Sequence, residues 1–205
     1  ALFQSCIIKR PYNLLHRKNL YIRFQEVKRS FGNKVTWDTP FETHFKNFIQ
    51  EANDAVFSNC QENISINKDI LSIKNNFDLV YIDSPYISEN GVGLDYLDFY
   101  HFLEGIMNYD DWAEMIDPKS KHKRLKLKKS DWSKKDKIEF AFESLIEQFK
   151  DSILVISYRS DGIPSIEKIK DILILKGKKI TVHESNEMKY VLSNKKSSEI
   201  LIVAE

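Results

Sequence analysis

The chain is poor in the residues that staple or punctuate a fold. Among 205 residues there are two cysteines, Cys6 and Cys60, with six glycines and five prolines. Two isolated cysteines make neither a disulfide framework nor a metal-ligand spacing, and the five histidines are scattered, so no metal is expected. The cysteines read as reduced thiols of a cytoplasmic protein. So little Gly and Pro excludes a linker-like or low-complexity chain. No apolar run approaches the roughly 18 residues needed to span a bilayer, and no signal peptide opens the chain, so no membrane partner is expected. What is present is a chain 42% hydrophobic and 12% aromatic, enough for one domain with a real core, or one domain plus an insertion. It begins at Ala1 without a methionine, as a fragment or a processed product would.

A net charge of +1 hides a strong pattern. Residues 1–34 hold eight Lys/Arg and one acid; residues 38–118 hold three Lys and sixteen acids; residues 119–137 hold ten Lys/Arg and two acids. Two basic blocks therefore flank an acidic middle. Such asymmetry suits a polyanion partner, although a charge run also serves as plain solvated surface. Lys119, Lys121, Lys123, Arg124, Lys126, Lys128 and Lys129 are candidate phosphate contacts within a basic loop or insertion at 117–137, with Trp132 as a nearby aromatic. Lys9, Arg10, Arg17, Lys18 and Arg23, interleaved with Tyr12 and Tyr21, are the candidates in the basic segment 1–37. These contacts would be electrostatic and would not read sequence.

Periodicity supplies the elements. "TPFETHFKNFIQEANDAVF" predicts a helix with Thr39 and Glu42 as a capping box, Pro40 at the first helical position, and Phe41, Phe45, Phe48 and Ala52 on one face. "ISIN" is a short strand candidate. "FDLVYID" is a continuous apolar run, which suits a strand covered on both faces. "YLDFYHFLEGIMNY" predicts a helix with Tyr96, Tyr100, Leu103 and Met107 on one face; His101 there reads as a core or surface histidine. Ser133 and Asp136 fit a capping box for a further helix with Ile138, Phe142, Leu145 and Phe149 inward. "SILVISY" is a buried strand, "DGIPSIEKIKDILILKG" a turn and a helix, and "KKITVHE", "KYVLS" and "EILIVAE" three strands, the last two a hairpin. Strands alternating with helices and ending in a hairpin predict an α/β sheet, mostly parallel with an antiparallel strand at the end. Ligands on such sheets sit beyond the C-terminal ends of the strands, and Asp69, Asp83 and Tyr158 are expected there.

The stretch Asp83-Ser84-Pro85-Tyr86 has the parts for one particular chemistry. An exocyclic amine on a nucleobase is a poor nucleophile, because its lone pair is delocalised into the ring. Two acceptors aimed at its two hydrogens draw it toward a tetrahedral nitrogen and stabilise the positive charge that develops on attack. The Asp83 side chain would supply one and the backbone carbonyl of Ser84 the other. Pro85 has no N–H and a fixed φ, which holds the turn, and Tyr86 would stack on the base. A base in a duplex must first be flipped out to reach such a pocket. The rival reading is an ordinary strand-to-loop turn, in which Asp and Ser favour the bend, Pro punctuates it and Tyr packs. Arg159 and Asp161, just after "ILVISY", either line the same pocket or pair with each other.

With these residues the sequence resembles the amino-directed DNA methyltransferases, above all the adenine-N6 enzymes of bacterial restriction–modification type. Their signature, Asp-Pro-Pro-Tyr or a close variant at the end of the fourth sheet strand, stands here as Asp83-Ser84-Pro85-Tyr86. Asp-first variants are more typical of adenine-N6 enzymes and Ser-first variants of cytosine-N4 enzymes. "RPYNLLHRKNLYIR", "WDTPFETHF", "GVGLDYLDFYHFLEG" and "ISYRSDGIPS" also resemble segments of this group. "NKDIL" resembles the motif whose acid contacts the adenine of S-adenosylmethionine, which places that role on Asp69, with Ile70 against the ring. "ILVISYRSDG" resembles the strand whose end shapes the target-base pocket. The family's Gly-rich Phe-x-Gly-x-Gly loop is missing; the only Gly-x-Gly is Gly91-Val92-Gly93, after the Asp-Ser-Pro-Tyr turn, where it reads as a loop over the site.

The resemblance implies a Rossmann-like, S-adenosylmethionine-dependent fold in which residues 1–205 are the C-terminal part of a single methyltransferase domain, without its first two strands. A missing N-terminal part, or a separate complementing chain, would then complete the sheet. The implied activity is methyl transfer from S-adenosylmethionine to a flipped adenine in duplex DNA. A catalytically silent DNA-binding fragment, a cytosine-N4 enzyme and an RNA base methyltransferase are the alternatives.

Overall fold

A computed structural model of the chain describes residues 1–6, 38–74, 76–88, 100–120, 123–126, 130–185 and 197–205. The chain falls into two compact units. One combines residues 1–64 with 96–127, the other 65–95 with 128–205.

The first unit is helical among its described residues: α1 (Leu2–Cys6), α2 (Phe41–Asp54), α3 (His101–Met107) and α4 (Trp112–Met115). Helix α2 begins one residue after Pro40, which stands at its N-cap, one residue later than the Thr39–Glu42 spacing marks. Its expected apolar face is not a core face: no residue of α2 is buried, and Phe41 and Phe45 stack on each other at 6.0 Å. In α3 the buried residues are His101 and Gly105, while Met107 is exposed, so the inward face differs from the one the apolar spacing marks. Gly105 is dictated by packing, since a Cβ there would lie 2.1 Å from the Trp112 indole.

The second unit is the sheet: β1 (Leu79–Asp83), β2 (Ile87–Ser88), α5 (Ile138–Gln148), β3 (Ile153–Arg159), β4 (Gly162–Ile163), α6 (Ile166–Leu175), β5 (Ile180–Glu184) and β6 (Glu199–Ala204). The main sheet runs β1-β3-β6-β5. β1 and β3 are parallel, in register from Leu79–Ile153 to Asp83–Ser157. β6 is antiparallel to β3 on one side and to β5 on the other. Three strands therefore share a direction and one opposes them, as the mixed α/β reading expects. The strand before β6 that pairs with it at the sheet's end is "ITVHE"; "KYVLS" lies outside the described residues. "ISIN" forms no strand, and is followed by a 3₁₀ turn at Ile70–Ser72.

Helices α5 and α6 cover one face. Ile138, Phe142, Leu145, Ile146 and Phe149 of the α5 segment, with Ile169, Ile172 and Leu173 of α6, bury Leu154, Ile156 and Tyr158 of β3 and Ile200, Ile202 and Ala204 of β6. Both helices place apolar residues three and four apart, which gives each a single inward stripe. The Ser165 hydroxyl caps α6 by accepting from the Lys168 N–H at 3.2 Å. The expected Ser133–Asp136 box does not open α5, which starts at Ile138 after a separate 3₁₀ turn at Asp131–Ser133. The expectation of a β1 covered on both faces is also corrected. Val80 and Ile82 point toward the core, but Leu79 and Tyr81 on the alternate face are 53% and 58% exposed. A continuous apolar run hides the period-two alternation of a half-covered strand.

Candidate active site

β1 delivers its last residue, Asp83, to the C-terminal end of the sheet, opposite Ser157 of β3. Asp83 is exposed, and its carboxylate makes no hydrogen bond or ion pair with the described residues. Ser84, Pro85 and Tyr86 link β1 to β2 and are half-buried. The Ser84 hydroxyl is enclosed without a hydrogen-bond partner among the described residues. The turn is pinned on its far side by a small second sheet, in which Ile87 pairs with Ile163 and Ser88 with Gly162. Ile87 is fully buried, which anchors the chain immediately after Tyr86.

Tyr86 itself is held by the end of β3. The guanidinium carbon of Arg159 lies over its ring, 4.8 Å from the centroid. Arg159 is buried and makes a two-pronged bond to Asp161, with Nε to Oδ1 and Nη2 to Oδ2 both at 2.7 Å. Of the two readings of this pair, the pairing is realised, and Arg159 also stands over the Tyr86 ring. Tyr158 meets the Tyr86 ring edge-on at 6.4 Å and Phe142 at 5.3 Å, and Trp132 meets Phe142 at 5.3 Å. The Tyr158 hydroxyl donates to the Ile163 carbonyl at 2.5 Å. Gly162 is required by this packing, because a Cβ there would stand 2.6 Å from the Tyr158 ring. One strand away, the Ser157 hydroxyl donates to Glu199 at 2.7 Å.

Asp69 is not brought to this end. Its carboxylate accepts from the Leu71 N–H at 2.8 Å and so caps the 3₁₀ turn. That turn is docked by Gln148, whose amide donates to the carbonyls of Ile70 at 2.9 Å and Ile73 at 2.6 Å. Gln148 ends α5, and a few residues later β3 begins, with the Ile153 N–H bonded to the Asp78 carbonyl at 2.9 Å. Asp69 and Ile70 therefore lie where β1 and β3 start, about 13 Å of strand away from Asp83. The expectation that Asp69 falls at a C-terminal strand end is corrected; the strand thought to precede it does not form. A cavity of about 870 Å³ opens at this same lower end, lined by Phe77, Leu79, Gln148, Phe149 and Ile153 among others. It is remote from Asp83.

Of the basic candidates, Lys119, Lys123, Arg124 and Lys126 belong to the first unit, and Lys121, Lys128, Lys129, Arg17 and Lys18 lie outside the described residues. Lys119 and Lys123 are exposed. Arg124 reaches Asp117 at 3.4 Å, and Lys126 donates to the Glu114 carbonyl at 2.7 Å. An Ile116–Leu125 bridge makes part of this loop a clasp around buried Leu125. Among the described residues no group of three or more His, Cys, Asp or Glu stands close enough to hold a metal ion, and no helix is long and apolar enough to cross a membrane.

No protein-family model and no solved structure matches the chain. Curated relatives do. The chain is 27% identical over 217 residues to the type II methyltransferase M2.HphI of Haemophilus parahaemolyticus, a match taking in 100% of the chain and 60% of that protein. It is 30% identical over 166 residues to the modification methylase StsI of Streptococcus sanguinis, across 71% of the chain and 22% of the relative. It is 30% identical over 101 residues to the type II methyltransferase M.NlaIII of Neisseria lactamica, across 49% of the chain and 28% of the relative. The chain thus spans 60% or less of each of these proteins. Along its whole length it is similar to a protein named as a type II methyltransferase, and in part to others named as methyltransferases or modification methylases.

Proposed function

We propose that the chain forms the base-handling part of a DNA methyltransferase that modifies adenine N6, with S-adenosylmethionine as the methyl donor. The observation that carries this reading is the Asp83-Ser84-Pro85-Tyr86 turn: a free carboxylate at a strand end, followed by a pinned bend and a clamped aromatic ring. The names of the relatives support methylation of DNA as the activity class. The Asp-first form of the turn favours adenine.

The chemistry that these residues supply concerns the acceptor. With the base flipped out, the Asp83 carboxylate accepts one hydrogen of the exocyclic amine and the Ser84 carbonyl accepts the other. The nitrogen lone pair is thereby localised and aimed, and the charge that develops is met by fixed acceptors. Tyr86 stacks on the base and holds its plane. The described residues do not assemble a donor site beside Asp83, because Asp69 caps a turn at the opposite strand ends and the Gly-rich loop is missing. Exposed Lys119 and Lys123 are proposed as phosphate contacts, with the remaining basic candidates of residues 1–37 and 117–137 beside them in sequence.

The test is incubation of the chain with duplex DNA and isotopically labelled S-adenosylmethionine, followed by nucleoside analysis. N6-methyladenine is the expected product, and Asp83→Ala should lower its yield on the order of a hundredfold while DNA binding persists. Near-normal yield from that variant sinks the assignment, and N4-methylcytosine as the product moves the target to cytosine. The lack of a donor site beside Asp83 among the described residues favours one second reading, a catalytically silent DNA-binding piece. It predicts salt-sensitive duplex binding with no methylated product at all.

A further inference from the structure

The ring of Tyr86 is restrained from three sides. Its backbone runs straight into buried Ile87 and the Ile87–Ile163 pairing, its edge meets Tyr158, and one of its faces carries the Arg159 guanidinium at 4.8 Å. The residue nevertheless stays half-exposed. Arg159 has little freedom of its own, because both carboxylate oxygens of Asp161, two residues on, hold the guanidinium fork. A fork–fork bond fixes the plane as well as the position of the cation.

We propose that Arg159, held by Asp161, is a positioning residue for base binding that acts through Tyr86. The inference rests on the reading of Tyr86 as the surface on which the base stacks. The cation does two things to the ring. It locks the ring plane before any base arrives, so less conformational freedom is lost on stacking. It also draws π-electron density toward the occupied face, which makes the opposite face more electron-poor and a better platform for an electron-rich purine. Asp161 contributes by fixing the fork rather than by touching the base. A plain structural ion pair would do neither, since it would serve the loop 158–163 alone.

The experiment is a fluorescence titration of the full chain with duplex DNA carrying 2-aminopurine at a candidate target position. The proteins compared are the unaltered chain, Arg159→Gln, Arg159→Lys, Tyr86→Ala and the double variant Tyr86→Ala with Arg159→Gln. Arg159→Gln is expected to raise Kd about threefold to tenfold, the size of one cation–π contact. Arg159→Lys restores most of that loss, since it keeps the charge over the ring. On the Tyr86→Ala background, Arg159→Gln adds less than about twofold, the signature of two residues acting as one unit.

An unchanged Kd for Arg159→Gln overturns the proposal. So do equal losses in Arg159→Lys and Arg159→Gln with equally lowered melting temperatures, which would make the fork a support of the fold alone. A full effect of Arg159→Gln on the Tyr86→Ala background would assign Arg159 to a direct phosphate contact instead. If the duplex is not bound, or if Tyr86→Ala leaves both Kd and emission unchanged, the base-stacking reading itself has failed and the proposal falls with it.

Discussion

Tyr158 shows how one buried hydroxyl ties the core to the candidate site. Its ring bridges Phe142 and Tyr86, and its O–H is spent on the Ile163 carbonyl. Burial pushes the phenol pKa up, with the charge of Arg159 pulling the other way by less. The folded value therefore lies above the unfolded one of about 10. The stability this group contributes is full below about pH 10 and is lost as the pH climbs toward the folded value. Tyr158→Phe keeps the ring and strands the carbonyl, so a loss of about 1–3 kcal/mol is expected in urea unfolding near neutrality. The variant should also shed the part of the alkaline loss above about pH 10 that belongs to this phenol, which a denaturation series against pH would show. Ser84 is the opposite case. Its hydroxyl is enclosed and makes no bond among the described residues, so Ser84→Ala should leave stability unchanged or raise it by about 1 kcal/mol in the same assay.

At the scale of elements, the Gln148 amide and the packing of Ile70 and Ile73 dock the Ile70–Ser72 turn. Gln148 donates to two carbonyls, and no apolar residue could replace both bonds. Gln148→Ala should cost about 1–3 kcal/mol and speed hydrogen exchange across residues 70–73, whereas unchanged exchange there would show the turn to be held by Ile70 and Ile73 packing alone. This contact was invisible in the sequence, because it joins residues 75 and 78 positions apart. What could be read was local. The spacing of Ile138, Phe142, Leu145 and Phe149 marked α5, the run "ILVISY" marked β3, and the Asp-Ser-Pro-Tyr turn stood out by its residue types. The capping-box pattern at Ser133 and Asp136 opens no helix, since the pattern needs only residue identity while the cap needs φ and ψ. The β2–β4 pairing is too short to leave a periodic trace. Arg159 and Asp161 were legible as a pair, but not as a clamp on an aromatic ring 73 residues earlier.

At the scale of the whole molecule, the apolar side chains Leu79 and Tyr81 remain open on β1, next to exposed Phe77 and Ile153. An apolar sheet edge of this kind is adhesive. Tyr81→Lys should therefore lower light scattering by concentrated samples without shifting the melting temperature by more than about 2 °C. The division into units has a different consequence. The sheet unit is drawn from residues 65–95 and 128–205, and the intervening stretch 96–127 belongs to the other unit. A protease cut anywhere in that stretch yields two peptides on a denaturing gel, yet β1 still lies hydrogen-bonded along the whole of its register with β3. Asp83 and Tyr86 would then sit on one polypeptide and Arg159, Asp161 and Tyr158 on another, joined by no covalent bond. Strand pairing alone would hold the two halves of the candidate site together, and co-expression of residues 1–110 with residues 111–205 should rebuild the β1–β3 pair.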